Sequence, residues 1–438
     1  MELSADQITA LAPDEGSVKA AKGLLAPTKW PTLGHSGSAA WGECQGSGTK
    51  PYQVQVDFNG PAFRCSCPSR KFPCKHGLAL LLLRAQNPAA FLASAPPQWV
   101  EEWLATRAAR QERAEKEPTK KVPDPETAAR QEAKRLEKMQ AGAHELSLWL
   151  ADRVRHGLGE LDGQHAAFES MAARMVDAQA PGLAARMRQM RDAVGSGPAW
   201  HVRLLASMGE MQLLLDALHN VGTLPLPLRA EVLAAAGKPG DKDEVLQDGE
   251  RVADNWFVLG QSWAETDRLW ERRVWLYGQN SGRRAMVLDF SFGTRNFELC
   301  FVVGSTVCAT LAFFPGALPL RALVAGPLET CDHAVSPPAA NTAETLAWIA
   351  DAVGASPWAA PLPFLAAGVI PIIDAAGWSL RTDTGGRLPL ALSDSDGWQL
   401  LALGGGTPVT MFGEWNGEHL RPLSCWRPAL AWTEGVPA

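Results

Sequence analysis

Four side chains able to hold a soft divalent metal fall within twelve residues of this chain: Cys65, Cys67, Cys74 and His76, in the order C-x-C, six residues, C-x-H. Three thiolates and one imidazole nitrogen fill a tetrahedron around Zn²⁺ and leave no open position for water. That donor set makes a structural site rather than a catalytic one. An iron–sulfur cluster usually takes four cysteines, and a thioredoxin-like dithiol needs C-x-x-C; neither pattern is present. One structural zinc ion is therefore the expected cofactor.

Short elements have to position these ligands. Tyr52, Val54, Val56 and Phe58 alternate with Gln53, Gln55 and Asp57, the period-2 pattern of a half-buried strand. Asn59-Gly60 is a hairpin turn signal, so Ala62 to Cys65 is expected to return antiparallel. Leu78, Leu81 and Leu82 fall at i, i+3, i+4 and mark a helix beginning near Cys74, its positive N-terminal end toward the thiolates. Cys44 lies upstream in a short β stretch, Trp41 to Cys44. With the tetrahedron already full, it reads as a small buried residue rather than a fifth ligand.

This ligand pattern resembles the SWIM zinc finger, in which C-x-C, a variable gap and C-x-H follow a β-hairpin and open a helix. All four ligand positions match, as do Pro68 after the second ligand and Lys75 between the last two. The finger proper covers about residues 51–84. The string WGECQGSGTKPYQVQVDF, residues 41–58, also resembles long bacterial members with a finger near the N-terminus. The resemblance implies a DNA-binding or protein-interaction module rather than a defined reaction.

Charge supports a binding role. Residues 50–84 hold six basic side chains (Lys50, Arg64, Arg70, Lys71, Lys75, Arg84) against the single acid Asp57, a formal +5 before the metal centre is counted. The whole chain is −6, so the remainder carries −11. A basic finger on an acidic body is the footprint of a phosphate-binding surface. An equal reading is that these cations offset the anionic zinc–thiolate cluster. On the first reading Arg70, Lys71 and Lys75 meet phosphates, and Phe72 stacks on an unpaired base if it is exposed.

The chain reads as a multidomain α+β protein. Its expected regions are an N-terminal one at 1–95 with a small ββα zinc finger, a charged helix and linker at 96–140, a helical bundle at 141–240, and a β-rich C-terminal domain with a few helices at 250–438. The linker is placed by balanced charge and by Pro118, Pro123 and Pro125. The bundle follows from stripes such as Leu146, Trp149, Leu150, Val154 and Leu204, Met208, Met211, Leu215, Leu218. After the turn at 237–243, short apolar runs alternate with turn signals; Val307 to Phe314, Val369 to Ile373, Trp378 to Thr382, Trp398 to Leu403, Val409 to Trp415 and His419 to Trp426 read as strands, and Thr342 to Val353 as a helix.

Eleven of the 17 tryptophans lie between Trp256 and Trp432. They read as core, because no basic cluster interleaves with them in sequence. No catalytic set emerges. Gly404-Gly405-Gly406 lacks a P-loop lysine and reads as a turn. Cys331 and His333 copy half a zinc site without partners at ligand spacing. An enzyme with a site in the C-terminal β region has only length in its favour, and no small-molecule substrate is nominated. The start, Met1 to Gly16, lacks the basic and apolar segments of a signal peptide, and no run is long enough to span a bilayer. The expectation is a cytoplasmic protein whose finger binds nucleic acid or a protein partner, with a protein-assembly scaffold free of nucleic acid as the alternative.

Overall fold

The computed structural model describes residues 5–434 apart from 47, 49, 59–61, 70, 117–124, 198, 239, 267, 294, 296, 298, 331–335 and 339. The architecture is mixed α+β, with a sheet around the Cys/His set, a helical bundle and a β-rich C-terminal region. The Asn59-Gly60 turn, Arg70, and Cys331 with His333 lie outside the described residues.

The N-terminal unit opens with helices α1 (Ala5–Ala10) and α2 (Glu15–Lys22), which precede strands β1 (Thr32–His35), β2 (Ala39–Cys44), β3 (Tyr52–Asp57) and β4 (Ala62–Cys65). Helix α3 (Lys75–Gln86) follows, then the short strand β5 (Leu92–Ala93). The strands form one sheet in the order β4-β3-β2-β1-β5. Strands β3 and β4 pair antiparallel, Val54 opposite Cys65 and Val56 opposite Phe63, as the alternation requires. Helix α3 is buried all round, from His76 to Leu83, because the sheet takes one side and the two N-terminal helices take the other. The finger is thus one corner of a larger layered unit, which supplies the core that thirty-odd residues lack.

Helix α4 (Gln98–Lys116) lies on this unit: Val100 and Trp103 are buried, and Arg107 pairs with the buried Asp57 at 3.0 Å. Helix α5 (Pro125–His156) then runs unbroken for 32 residues. Of the stretch expected at 96–140 to be a charged helix and linker, helix α4 takes residues 98–116 and helix α5 takes residues 125–140. Leu136, Met139 and Ala143 extend the apolar stripe backward into the bundle core, and the charged residues around them are the solvent side of the same helix. Helices α6 (His165–Asp177), α7 (Pro181–Ala193), α8 (Trp200–His219) and α9 (Leu226–Ala236) complete the bundle around Phe168, Met187, Met208 and Met211. The methionines are core.

The C-terminal region begins with helix α10 (Lys242–Asp248) and strands β6 (Glu250–Thr266), β7 (Leu269–Gly278), β8 (Arg284–Phe292), β9 (Thr306–Phe313), β10 (Arg321–Val324) and β11 (Glu329–Thr330). Strand β10 pairs in parallel with β8 and antiparallel with β9, while β9 also pairs with β6. The ring β6-β7-β8-β10-β9 therefore closes into a small barrel, with β11 appended to β9. After helix α11 (Thr342–Ala355), a further sheet is built from β12 (Leu362–Asp374), β13 (Gly377–Arg381), β14 (Arg387–Pro389), β15 (Val409–Trp415), β16 (Leu420–Trp426) and β17 (Leu430–Thr433). Helix α12 (Asp394–Gly404) sits between β14 and β15.

Helix α12 corrects the expected strand at Trp398 to Leu403. Ser393 caps it by accepting from the Asp396 N–H, and Gly405 ends it in the left-handed conformation at φ 53°. The three regions pack together. Val302, from the loop between β8 and β9, is buried in the N-terminal core, and Arg186 of the bundle donates to the Trp358 carbonyl at 3.0 Å. Among the described residues no helix is long and apolar enough to cross a membrane.

Candidate metal centre

Cys65 ends strand β4, Cys67 lies just beyond it, Cys74 stands at the residue before helix α3 and His76 sits in that helix's first turn. The hairpin and the helix therefore bring both ligand pairs to one point. One ligand atom from each of the four lies within 4.8 Å of the others, and among the described residues no other such Cys/His/Asp/Glu group forms. His76 presents Nδ1, 3.8 Å from Cys65 Sγ and 4.0 Å from Cys74 Sγ. A tetrahedral zinc with bonds of about 2.3 Å to sulfur and about 2.0–2.1 Å to nitrogen has S···N edges near ~3.6 Å and S···S edges near ~3.8 Å. The set fits one zinc ion. With four protein donors the ion would hold the hairpin to the helix and offer no site for substrate.

Of the three sulfurs, the surroundings favour the negative form at Cys74 alone. Cys74 is held low, at about 4, first by the Cys65 thiol that donates to it and then by His76 and the Gly77 N–H at the helix start. Cys65, as the donor of that bond, is pushed up, with burial adding to it; Cys67 is raised mainly by burial. The positively poised helix start expected from the sequence is the one that meets Cys74. His76 is buried and its ring lies 5.0 Å from that of Tyr52 on β3. Gly77 lets α3 approach the hairpin: a Cβ there would stand 2.9 Å from Phe63 Cδ1.

Cys44 is fully buried on β2 and outside the set, as expected. Cys300 is a free thiol pushed up to about 11 by burial, and Cys308 is disulfide-bonded, so neither joins a second metal set among the described residues.

The four expected nucleic-acid contacts fare differently. Arg70 lies outside the described residues. Lys71 is exposed but its ammonium is 2.7 Å from Asp14, the residue that caps α2. Phe72 is half-buried, its ring edge-on to Phe63 at 6.1 Å, so the stacking role its sequence position allows is largely taken by the protein's own core. Lys75 is exposed beside the ligands, and so is Arg64 on the edge strand β4. Among the described residues neither has a carboxylate within 4.0 Å. Asp57, the one acid of the window, is buried and held by Arg107. Arg64 is a further exposed cation that the ligand loop alone does not nominate; its outward position on an edge strand is the signal that finds it.

Two family models match the chain. Residues 52–85 match the SWIM zinc finger, and residues 134–236 match the SWIM-associated four-helix bundle domain. The pair of matches, in this order, fits a SWIM zinc finger family protein. The bundle match begins inside α5, within the stretch whose composition suggests a linker, and ends with α9. No curated protein and no solved structure matches the chain.

Proposed function

We propose that this protein is a zinc-structured binding module whose finger engages nucleic acid through the cations around the closed metal centre: Arg64, Lys71 and Lys75, with Arg70 beside them in sequence. Cys65, Cys67, Cys74 and His76 are the zinc ligands of this reading. One observation carries it. The only acid of residues 50–84 is turned inward to Arg107, and among the described residues the one carboxylate within 4.0 Å of Arg64, Lys71 or Lys75 is that of Asp14, from outside the window. Phosphate groups of DNA or RNA are the partners that such a surface recognises at long range.

A second reading is favoured by the same contacts. The Lys71–Asp14 pair and the packing of Phe72 on Phe63 occupy half of the loop's expected contacts internally, which suits a protein-assembly surface. Salt separates the two. Three phosphate contacts give a slope of about 2.7 in log K against log salt, so binding should fall roughly 40-fold between about 50 and 200 mM salt. Replacing Arg64, Lys71 and Lys75 by Glu should remove that dependence without changing zinc content. Salt-insensitive binding, or none, by the wild-type chain sinks the nucleic-acid reading and leaves the protein partner. This reading sets the chain in the cytoplasm, where thiols stay available to metal; six of the described cysteines are free, against the one disulfide at Cys308.

A further inference from the structure

The barrel has an open aromatic face that the finger does not use. In β7 and β8, alternate residues point to opposite sides. Val274, Leu276, Ala285 and Val287 fill the barrel core, so their neighbours Arg273, Trp275, Met286 and Leu288 face outward, and Leu269, Glu271, Phe290 and Phe292 continue that outer side. Half of the outer side is covered. The C-terminal sheet lies over it at Trp275, whose indole N–H donates to Glu414 at 2.9 Å and whose ring meets Phe412, and α11 sets Trp348 over Arg284. Among the described residues the cover ends beyond Arg273. Phe292 is 68% exposed, Phe290 47% and Leu269 42%.

Two exposed phenyl rings at i and i+2 of one strand are costly to leave in water. Their spacing says what would cover them. Side chains two apart on a strand stand about 6.7 Å from one another. Bases stacked in a duplex are separated by about 3.4 Å. The rings therefore suit the successive bases of a stretched single strand and do not suit a duplex. A cation stands ready for the backbone: exposed Arg268 lies 5.2 Å over the Phe292 ring. Arg268 holds an unfavourable φ of 67° in the turn from β6 to β7, and its carbonyl accepts from the Gly293 N–H, tying the turn to the end of β8. Glu271 on the same face lies 3.8 Å from Arg273, whose guanidinium it shares with Glu414 at 3.4 Å. The closure order β6-β7-β8-β10-β9, with a parallel β8–β10 pair, is that of the five-stranded Greek-key barrels that bind oligonucleotides or oligosaccharides on their second and third strands, here β7 and β8.

We infer that the outer face of β7 and β8, at Leu269, Phe290, Phe292 and Arg268, is a binding site for single-stranded nucleic acid, distinct from the cationic finger surface. Stacking dominates there and one arginine supplies the charge, so the salt slope is about 1, far shallower than that of the finger. The test uses the full chain and labelled oligothymidylate, followed by anisotropy at about 200 mM salt, where electrostatic binding is weakest.

Wild-type protein should bind the single strand and prefer it to a duplex of equal length. Phe290→Ala with Phe292→Ala should weaken binding about 25-fold or more, at roughly 5- to 150-fold per stacked base. Phe290→Leu with Phe292→Leu keeps an apolar surface but no π-face, and should lose binding to the same degree. Both rings are exposed, so zinc content and melting temperature report that the variants remain folded. The Glu variant at Arg64, Lys71 and Lys75 should keep this binding, so the finger reading and this one fail separately. The inference is overturned by absence of single-strand binding, by indifference to loss of both rings, by retention in the Leu pair, which signals an apolar protein partner, or by preference for an oligosaccharide.

Discussion

Gly77→Ala in helix α3 sets two effects of known size against each other beside the metal. Alanine in place of glycine inside a helix ordinarily stabilises by about 0.8–1.0 kcal/mol. Here the new Cβ would sit 2.9 Å from Phe63 Cδ1, closer than such atoms approach. Phe63 is buried and its ring is backed edge-on by Phe72, so it has little room to yield. Overpacking of this kind costs about 1–3 kcal/mol. The clash wins by about 1 kcal/mol. The strain falls on the helix start that holds Cys74 and His76, so folding and metal affinity should suffer together. A loss of about 1 kcal/mol is about fivefold in zinc affinity, measurable by competition with a chromogenic chelator. Gly209 in α8 is the control: a Cβ added there would meet nothing within 4 Å. Gly209→Ala should therefore raise stability by about 1 kcal/mol and leave zinc affinity alone. If Gly77→Ala binds zinc as tightly as wild type and melts higher, the proposed packing of helix against hairpin is wrong.

Other outcomes follow from the same structure. Val302→Ala, at a buried position contributed by the barrel loop, should cost about 1–2 kcal/mol and speed amide exchange in α3 as well as in its own loop. Trypsin should spare Arg130, Lys134 and Arg135, because they lie in α5 and Arg135 donates to the Gly237 carbonyl; rapid cutting there would restore the longer linker. Asp254 holds the turn between β7 and β8. Burial pushes its carboxyl up, but hydrogen bonds from the Ser281 hydroxyl and N–H and from Asn280 outweigh that and hold it below the ordinary range. Its stabilising contribution is therefore present above the ordinary carboxylate pKa and lost as the pH falls below it, a drop that Asp254→Asn should remove from the acid limb of the melting-temperature profile.

The metal site is the most legible stretch of the sequence because its information is local. Two ligand pairs at fixed spacing, an alternating strand before them and a leucine stripe after them name the hairpin, the helix and the ion together. The bundle is legible for the same reason, since a 3.6-residue stripe is written within each helix. What cannot be read depends on distant pairing. The parallel contact of β8 with β10 closes the barrel, yet no residue of either strand announces it. Val302 lies in the loop between β8 and β9 and is spent in the core of the finger unit, a contact that nothing local in its sequence announces. Helix α12 escapes a sequence reading because Trp398 to Leu403 is a short apolar run, which suits strand or helix equally until the Ser393 cap is seen. The tryptophans read as core because no basic cluster interleaves with them; across strands and loops, Arg295 nonetheless stands over both Trp263 and Trp270. Side chains far apart in sequence become neighbours through register, and only the fold shows it.

One zinc ion held by Cys65, Cys67, Cys74 and His76 is the claim on which the finger's structure and its binding role both depend. Native mass spectrometry of the purified chain, beside its Cys67→Ser and Cys74→Ser variants, tests it most directly. The predicted result is one zinc per wild-type chain and none in either variant. A wild-type chain free of zinc under metal-replete conditions, or full occupancy after loss of Cys74, would contradict it.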